Sequence, residues 1–188
     1  VEKGFPVRSS DTTEQRSSVV LNWRLPEATD GLAVVAFEVI EELLLANAGS
    51  PLRKALVDSR LGQDVSPASG LDSELRWLVF SAGLRGTEPD RRAAVETVIL
   101  ESLGELVARG IPRESLEAAL QRVEFRNREI RRAGGPPALD LMRRALRGWL
   151  HGAAPETTLL FDAWVRQVRE RAAEGYLERL IRTHLIDN

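Results

Sequence analysis

The sequence predicts an α+β fold, with a small, mostly antiparallel sheet packed by several helices and a helix-rich C-terminal half. Residues 17–25 alternate apolar and polar side chains with the period of a β-strand, and residues 74–84 form an apolar run of strand length. From residue 88 onward, apolar residues recur instead at helical spacing. We expect a single domain over residues 15–188, preceded by a linker or crossing segment over residues 1–14.

The first predicted strand is half-buried, and proline at position 26 is expected to end it. Its apolar face carries Val19, Leu21, Trp23 and Leu25.

The predicted strand over residues 74–84 is largely apolar on both faces, which is typical of a central strand. Residues 63–70 form a weaker strand candidate that Pro67 interrupts, and a hairpin is predicted around residues 70–73. Three strands make a small sheet, so we expect a fourth strand to come from outside this sequence.

A largely apolar helix is predicted over residues 32–45, capped by Thr29 or Asp30. Its solvent side is expected at Glu38, Glu41 and Glu42.

A second, shorter helix is predicted to begin at Pro51, with Ser50 as its cap and Gly62 as its end. Leu52, Leu56 and Val57 are expected to face inward.

The C-terminal half is predicted to be entirely helical, with a break at residues 134–137 that contains two glycines and two prolines. Helices are expected over residues 89–109, 112–130, 138–150, 155–173 and 176–185. Leu116, Leu120, Val123, Asn127 and Ile130 are expected to form the buried stripe of the second of these helices.

Composition excludes several classes of function. The net charge of −2 favours neither nucleic acid nor an anionic membrane as a partner, and with no cysteine there can be no disulfide or thiolate zinc site. No apolar run is long enough to span a bilayer and no signal peptide is visible, so we expect a soluble domain.

Because the sequence lacks an initial Met and stops abruptly, we interpret it as a fragment of a longer protein. The compartment stays open, with the bacterial cytoplasm or periplasm as our expectation.

No residue pattern in the chain forms a catalytic site. His151 and His184 lie outside any zinc-peptidase motif, so we interpret both as structural. Glu41 and Glu42 are adjacent on a helix and diverge. The sequence therefore predicts no catalytic, cofactor-binding or metal-binding residue.

Glu124 and Glu129 lie among arginines, which predicts a solvated, salt-bridged helix face. A less favoured alternative is that this face anchors a neighbouring domain. The arginines are Arg122, Arg126, Arg128, Arg131 and Arg132.

Six collinear motifs cover nearly the whole chain. They are VLNW at 20–23, GSPLRKALVDSRLG at 49–62, FSAGLRG at 80–86, VEFRNRE at 123–129, LDLM to GWL over 139–150 followed by AP at 154–155, and LIRTHLIDN at 180–188. Together they resemble the presequence-protease branch of the pitrilysin/insulinase zinc metallopeptidases. The chain is most similar to the non-catalytic second domain of the N-terminal half.

The resemblance implies a parent zinc protease of four similar domains, whose two halves close around a chamber that admits unstructured peptides. In that family, zinc binds to an H-x-x-E-H motif and a distal Glu in the first domain, and none of these residues is present here. The implied partners are the catalytic domain, the C-terminal half of the same polypeptide and unstructured peptides. Zinc would belong to the parent's catalytic domain.

Two departures from the family qualify the resemblance. The turn at residues 134–137 differs from the usual family sequence, and the chain stops where the family continues into a further strand. An exposed sheet edge would allow the isolated fragment to dimerise. The alternatives are a catalytically inactive relative that serves as a scaffold or binding module, and an unrelated helical interaction domain without a sheet.

Overall fold

The computed structural model describes residues 1–4, 14–128 and 136–188. A four-stranded antiparallel sheet is formed by β1 (Ser17–Glu27), β2 (Asp64–Val65), β3 (Gly70–Asp72) and β4 (Trp77–Thr87). β4 is central: β1 pairs along one side, while β2 and β3 pair in succession along the other. The predicted α+β class is confirmed, and a sheet-free helical domain is excluded.

A fourth strand was expected from outside the sequence, but the described chain itself supplies all four strands of the sheet. The weak segment around Pro67 forms two separate short strands, β2 and β3, because the chain turns between them at Ser66 and Ser69. The predicted hairpin exists, but residues 70–72 form its first strand and the turn lies after them.

Both long strands extend beyond their predicted ends. β1 runs through Pro26 to Glu27, with a register shift between Arg24 and Glu27 that accommodates the proline. β4 continues to Thr87, whose Oγ1 donates a hydrogen bond of 2.7 Å to the carbonyl oxygen of Leu61.

The two faces of β4 differ more than the sequence indicates. Leu78, Phe80, Ala82 and Leu84 are fully buried, whereas Trp77 on the other face is 39% exposed. At Gly83 the strands approach so closely that a Cβ atom would lie 2.0 Å from the carbonyl oxygen of Val19. Only glycine permits this pairing.

Helix α1 (Gly31–Leu45) is the centre of the core and contacts β3 and four other helices. The predicted cap is confirmed at Asp30, whose Oδ1 accepts a 3.0 Å hydrogen bond from the backbone N–H of Ala33. Glu38, Glu41 and Glu42 were expected to face solvent, and this is wrong: other elements cover all three, as described below.

Helix α2 (Pro51–Asp58) begins at the predicted proline but departs from the prediction in three details. The Ser50 hydroxyl accepts a hydrogen bond from Asn47 rather than from a helical N–H. Val57 is 49% exposed, not inward-facing. The helix ends before Gly62, because Arg60 adopts a left-handed conformation with φ of 53° and redirects the chain.

The remaining described chain is helical, as predicted. It comprises a 3-10 turn (Pro89–Arg91), α3 (Arg92–Arg109), α4 (Arg113–Arg128), α5 (Pro137–Trp149), a second 3-10 turn (Thr157–Leu159), α6 (Phe161–Ala172), α7 (Tyr176–Ile181) and a π-helical turn (Arg182–Ile186).

Three helix boundaries can be compared with the prediction. Gly110, with φ of 78°, ends α3 where expected. The helix predicted over 155–173 is instead a 3-10 turn and α6, which meet at Leu160. The helix predicted over 176–185 divides into α7 and the π-helical turn. Ile130 and the two glycines of the predicted break lie outside the described residues.

No helix within the described ranges is both long and apolar enough to cross a membrane.

Candidate functional site

The glutamates of α1 form an inner polar seam that joins α1 to α4 and α5. Glu42, with a side chain only 15% exposed, pairs with Arg126 at 3.1 Å and with Arg122 at 3.8 Å. Glu38, 13% exposed, accepts a 3.3 Å hydrogen bond from the Asn127 amide and lies 3.8 Å from Arg147 of α5. The charges on α1 therefore act as anchor points for helices that follow much later in the chain.

Glu41 ties the same helix to the sheet. Its Oε1 accepts a 3.0 Å hydrogen bond from the backbone N–H of Leu71 in β3. Burial raises the pKa of this carboxyl, although that hydrogen bond opposes the shift. Gly70 allows the close approach: its φ is 140°, and a Cβ atom there would lie 2.7 Å from Oε1 of Glu41.

A groove of about 540 Å³ opens beside Glu41. Acidic and basic side chains both line the groove, and among them Arg85 forms an ion pair with Asp64 at 3.2 Å. Arg53 also lines the groove. The groove's other polar lining residues include Glu42, Ser66 and Ser69, so its surface is suited to polar contacts.

The arginine-rich face of α4 is not simply solvated. Arg128 pairs with Glu124 at 2.7 Å and with Asp162 of α6 at 2.9 Å. Glu124 also accepts a 3.3 Å hydrogen bond from Arg169 of α6. With Arg122 and Arg126 bound to Glu42, the described part of this face holds the domain's own helices together. Glu129, Arg131 and Arg132 lie outside the described residues.

The structure places the two histidines in ordinary structural settings. The His184 ring packs edge-on against Phe37, with centroids 5.7 Å apart, and burial lowers the pKa of this histidine. His151 is half-buried just after α5, where its backbone N–H donates to Gly148. Among residues 1–4, 14–128 and 136–188, no group of three or more His, Cys, Asp or Glu side chains could hold a metal.

Of the four tryptophans, Trp23 is buried, Trp164 is partly buried and the other two are exposed. Trp23 packs on Phe80 in the core, and Trp164 donates a 2.9 Å hydrogen bond to the carbonyl oxygen of Thr157. Trp77 is 39% exposed and Trp149 is 58% exposed. Exposed tryptophans of this kind are enriched at protein interfaces.

Helix α5 turns its polar side toward its own domain. Arg143 donates to Glu74 at 2.9 Å, and Arg144 donates to the carbonyl oxygen of Asn127 at 2.7 Å. Arg147 approaches Glu38, and Gly148 is buried where a Cβ atom would contact Ala153. Charged groups therefore fasten this helix to the body of the domain.

The opposite side of α5 is apolar and faces outward. Leu139, Met142, Leu146 and Trp149 recur at positions i, i+3, i+7 and i+10, which places them on one helix face. Leu139 is 43% exposed, Met142 52% and Trp149 58%. Leu150, just beyond the helix, is 70% exposed. We call this set of five residues the α5 face.

The sequence predicted the position of α5 but not which of its sides faces the domain. The signal was present in the spacing of the apolar residues and of Arg143, Arg144 and Arg147. What the sequence did not reveal was that the arginines have partners within the domain.

The fold and its surfaces define an α+β domain with an apolar helix face left open, and with no group of metal-ligating side chains among the described residues. The sequence model of the peptidase M16 inactive domain matches residues 1–123. The chain therefore belongs to the peptidase M16 family, and the predicted resemblance to a non-catalytic domain of these zinc peptidases is confirmed.

Curated relatives extend the match over nearly the whole chain. Identity to Protein HypA of Clostridium perfringens is 28% over 184 residues, which is 98% of this chain and 19% of HypA. Identity to Presequence protease 1, chloroplastic/mitochondrial, of Arabidopsis thaliana is 30% over 175 residues, or 93% of this chain and 16% of that protein. The chain thus spans less than a fifth of the length of either relative.

Solved structures show the same fold. One is the inactive peptidase domain of a Bordetella parapertussis protein described as a zinc protease, with a TM-score of 0.67 at 18% identity. The match covers 93% of this chain and 91% of that one. A structure from Bordetella pertussis Tohama I, of a protein also described as a zinc protease, gives a TM-score of 0.66 at 19% identity, over 90% and 87% of the two chains.

Proposed function

We propose that this chain is the non-catalytic second domain of the N-terminal half of a longer, ATP-independent zinc metalloendopeptidase. It would support the catalytic domain and form part of the wall of a closed chamber in which unstructured peptides are degraded. The observation that carries the proposal is the match to the M16 inactive domain, in a chain whose relatives are more than five times as long.

The division of labour follows from the chemistry of zinc. A catalytic zinc needs three protein ligands and a base that acts on its bound water. The described residues offer no such set, so zinc and the general base would come from another domain of the parent polypeptide. This chain's contribution would be structural: it would supply a rigid core around α1 and surfaces that hold neighbouring domains of the parent polypeptide in place.

Two parallel preparations test the proposal. The isolated 188-residue chain, purified without chelators, should contain far less than one zinc per molecule and leave an unstructured peptide uncut. The complete parent polypeptide should bind zinc and cleave the same peptide. A parent in which the motif glutamate of H-x-x-E-H is replaced by glutamine is the matched control, and it should bind zinc without cleaving.

Two results would contradict the proposal. The first is stoichiometric zinc in the isolated chain that His151→Ala or His184→Ala removes. The second is a complete polypeptide without H-x-x-E-H and without activity, which would support the alternative of a catalytically inactive scaffold.

A further inference from the structure

Helix α5 is oriented differently from a helix that packs only on its own domain. A surface helix of a globular protein normally turns its apolar stripe to the core and its charges to water. In α5, Arg144 and Arg147 reach inward to Asn127 and Glu38, while Arg143 pairs with Glu74 at the exposed rim of the helix. The apolar stripe is left outside.

The exposed side chains are of the kinds that carry binding energy at interfaces. Trp149 and Met142 are more than half exposed, and tryptophan and methionine are both enriched at protein interfaces. Two further leucines add to the exposed apolar surface next to α5: Leu159 is 45% exposed and Leu160 is 53% exposed. Both lie at the 3-10 turn that packs against α5. Exposed apolar surface that is concentrated in this way marks an interaction site.

The charge distribution argues for a protein partner rather than a lipid surface. A helix that lies on a membrane keeps lysines and arginines free to meet anionic head groups. Here the arginines of α5 are engaged in contacts within the domain. What is offered outward is apolar, and a permanent protein partner suits such a surface because obligate interfaces are the more hydrophobic ones.

The relatives indicate where such a partner is. HypA and the Arabidopsis presequence protease each carry the equivalent of this domain within a chain more than five times as long. A neighbouring domain in one polypeptide is present at high effective concentration, so a helix face of modest size is enough to hold it.

We propose that the α5 face, with Trp149 and Met142 as its anchors, docks onto an apolar surface of the neighbouring domain in the same polypeptide. The inference rests on the proposed function, since it names the surface through which this domain supports the rest of the enzyme.

Cysteine labelling tests the docking directly, because the chain has no cysteine of its own. Met142→Cys is introduced into the isolated chain and into the complete polypeptide, and the rate of maleimide labelling at that site is followed by peptide mass spectrometry. Val57→Cys is the matched control, since Val57 is similarly exposed, at 49%, on a different helix.

We expect both sites to be labelled quickly in the isolated chain. In the complete polypeptide, Met142→Cys should react at least about tenfold more slowly. A tenfold reduction corresponds to a docked state that is favoured over the open state by about 1.4 kcal/mol. Val57→Cys should react at the same rate in both proteins. Equal labelling of Met142→Cys in the two proteins would overturn the proposal. Protection of Met142→Cys in a concentration-dependent dimer of the isolated chain would overturn it too, by assigning the face to a second copy.

The result can be separated from that of the proposed function. Zinc content and peptide cleavage are measured on the same complete polypeptide. Slow labelling at position 142 without cleavage would support the docking and contradict the catalytic role of the parent. Cleavage with fast labelling would support the enzyme and refute the docking surface.

Discussion

Helices α1 and α5 place their charges and apolar residues in opposite ways. α1 is apolar around most of its surface, and its three glutamates are covered by residues from α4, α5 and β3. α5 is amphipathic, yet Arg144 and Arg147 face the domain, while Leu139, Met142 and Trp149 face outward. In this domain, charged side chains join one element to another, and the exposed apolar stripe of α5 is the surface available to a partner.

The largest contrast is in stability. Phe37 of α1 is fully buried in the core. We expect Phe37→Ala to lower the free energy of unfolding by about 3–5 kcal/mol, through lost burial and the cavity left behind. Met142→Ala on the α5 face is the control and should change it by less than about 0.5 kcal/mol in the isolated chain. Urea unfolding measures both, and similar losses at the two positions would break the comparison.

A medium effect is expected at the inner seam. Glu42→Ala removes the partner of both Arg122 and Arg126, and we expect it to cost about 1–2 kcal/mol, between the values for exposed and buried charge pairs. Thermal unfolding at low and high salt checks this. A cost that disappears in salt would mean that the seam behaves like an ordinary surface ion pair.

Glu41 should make the free energy of unfolding depend on pH. Burial raises the folded-state pKa of this carboxyl above its usual 4.5, so the folded protein binds the proton more tightly than the unfolded chain does. The associated stability is fully present below pH 4.5 and is lost as pH rises through the folded-state pKa.

Glu41→Gln removes this titration while its side chain still accepts the N–H of Leu71. The variant should therefore gain stability relative to the wild type as pH rises above 4.5, with no gain below. Chemical unfolding from pH 4 to pH 7 checks the sign. A variant that loses stability relative to the wild type over that range would contradict the assignment.

The smallest effect is expected at the rim of α5. The pair between Arg143 and Glu74 is more than half exposed on both sides, so Arg143→Gln should cost no more than about 0.5 kcal/mol in the isolated chain. A larger loss would show that α5 is fastened by this pair rather than by Arg144 and Arg147.

Local patterns predicted most of the elements correctly. The cap at Asp30, the buried face of β1 and the end of α3 at Gly110 each follow from a few neighbouring residues. The two short strands around Pro67 were merged because two and three residues are too few to show a period.

The polar side of α1 could not be predicted from its own sequence. Glutamates on an apolar helix suggest a solvent face, but their partners come from elements far along the chain: Asn127 lies 89 residues from Glu38. The α5 face was missed for the same physical reason. Which side of an amphipathic helix is buried depends on partners that periodicity does not contain.

The central claim is that the α5 face holds this domain to the rest of its polypeptide, and binding between separated parts tests it most directly. The 188-residue chain is co-expressed with the remainder of the polypeptide, and their affinity is measured after purification for the wild type, Trp149→Glu and Val57→Glu. We predict that Trp149→Glu weakens binding at least about 30-fold, as expected for an interface hot spot of 2 kcal/mol or more, while Val57→Glu has no effect. Equal affinity for the wild type and Trp149→Glu would contradict the account.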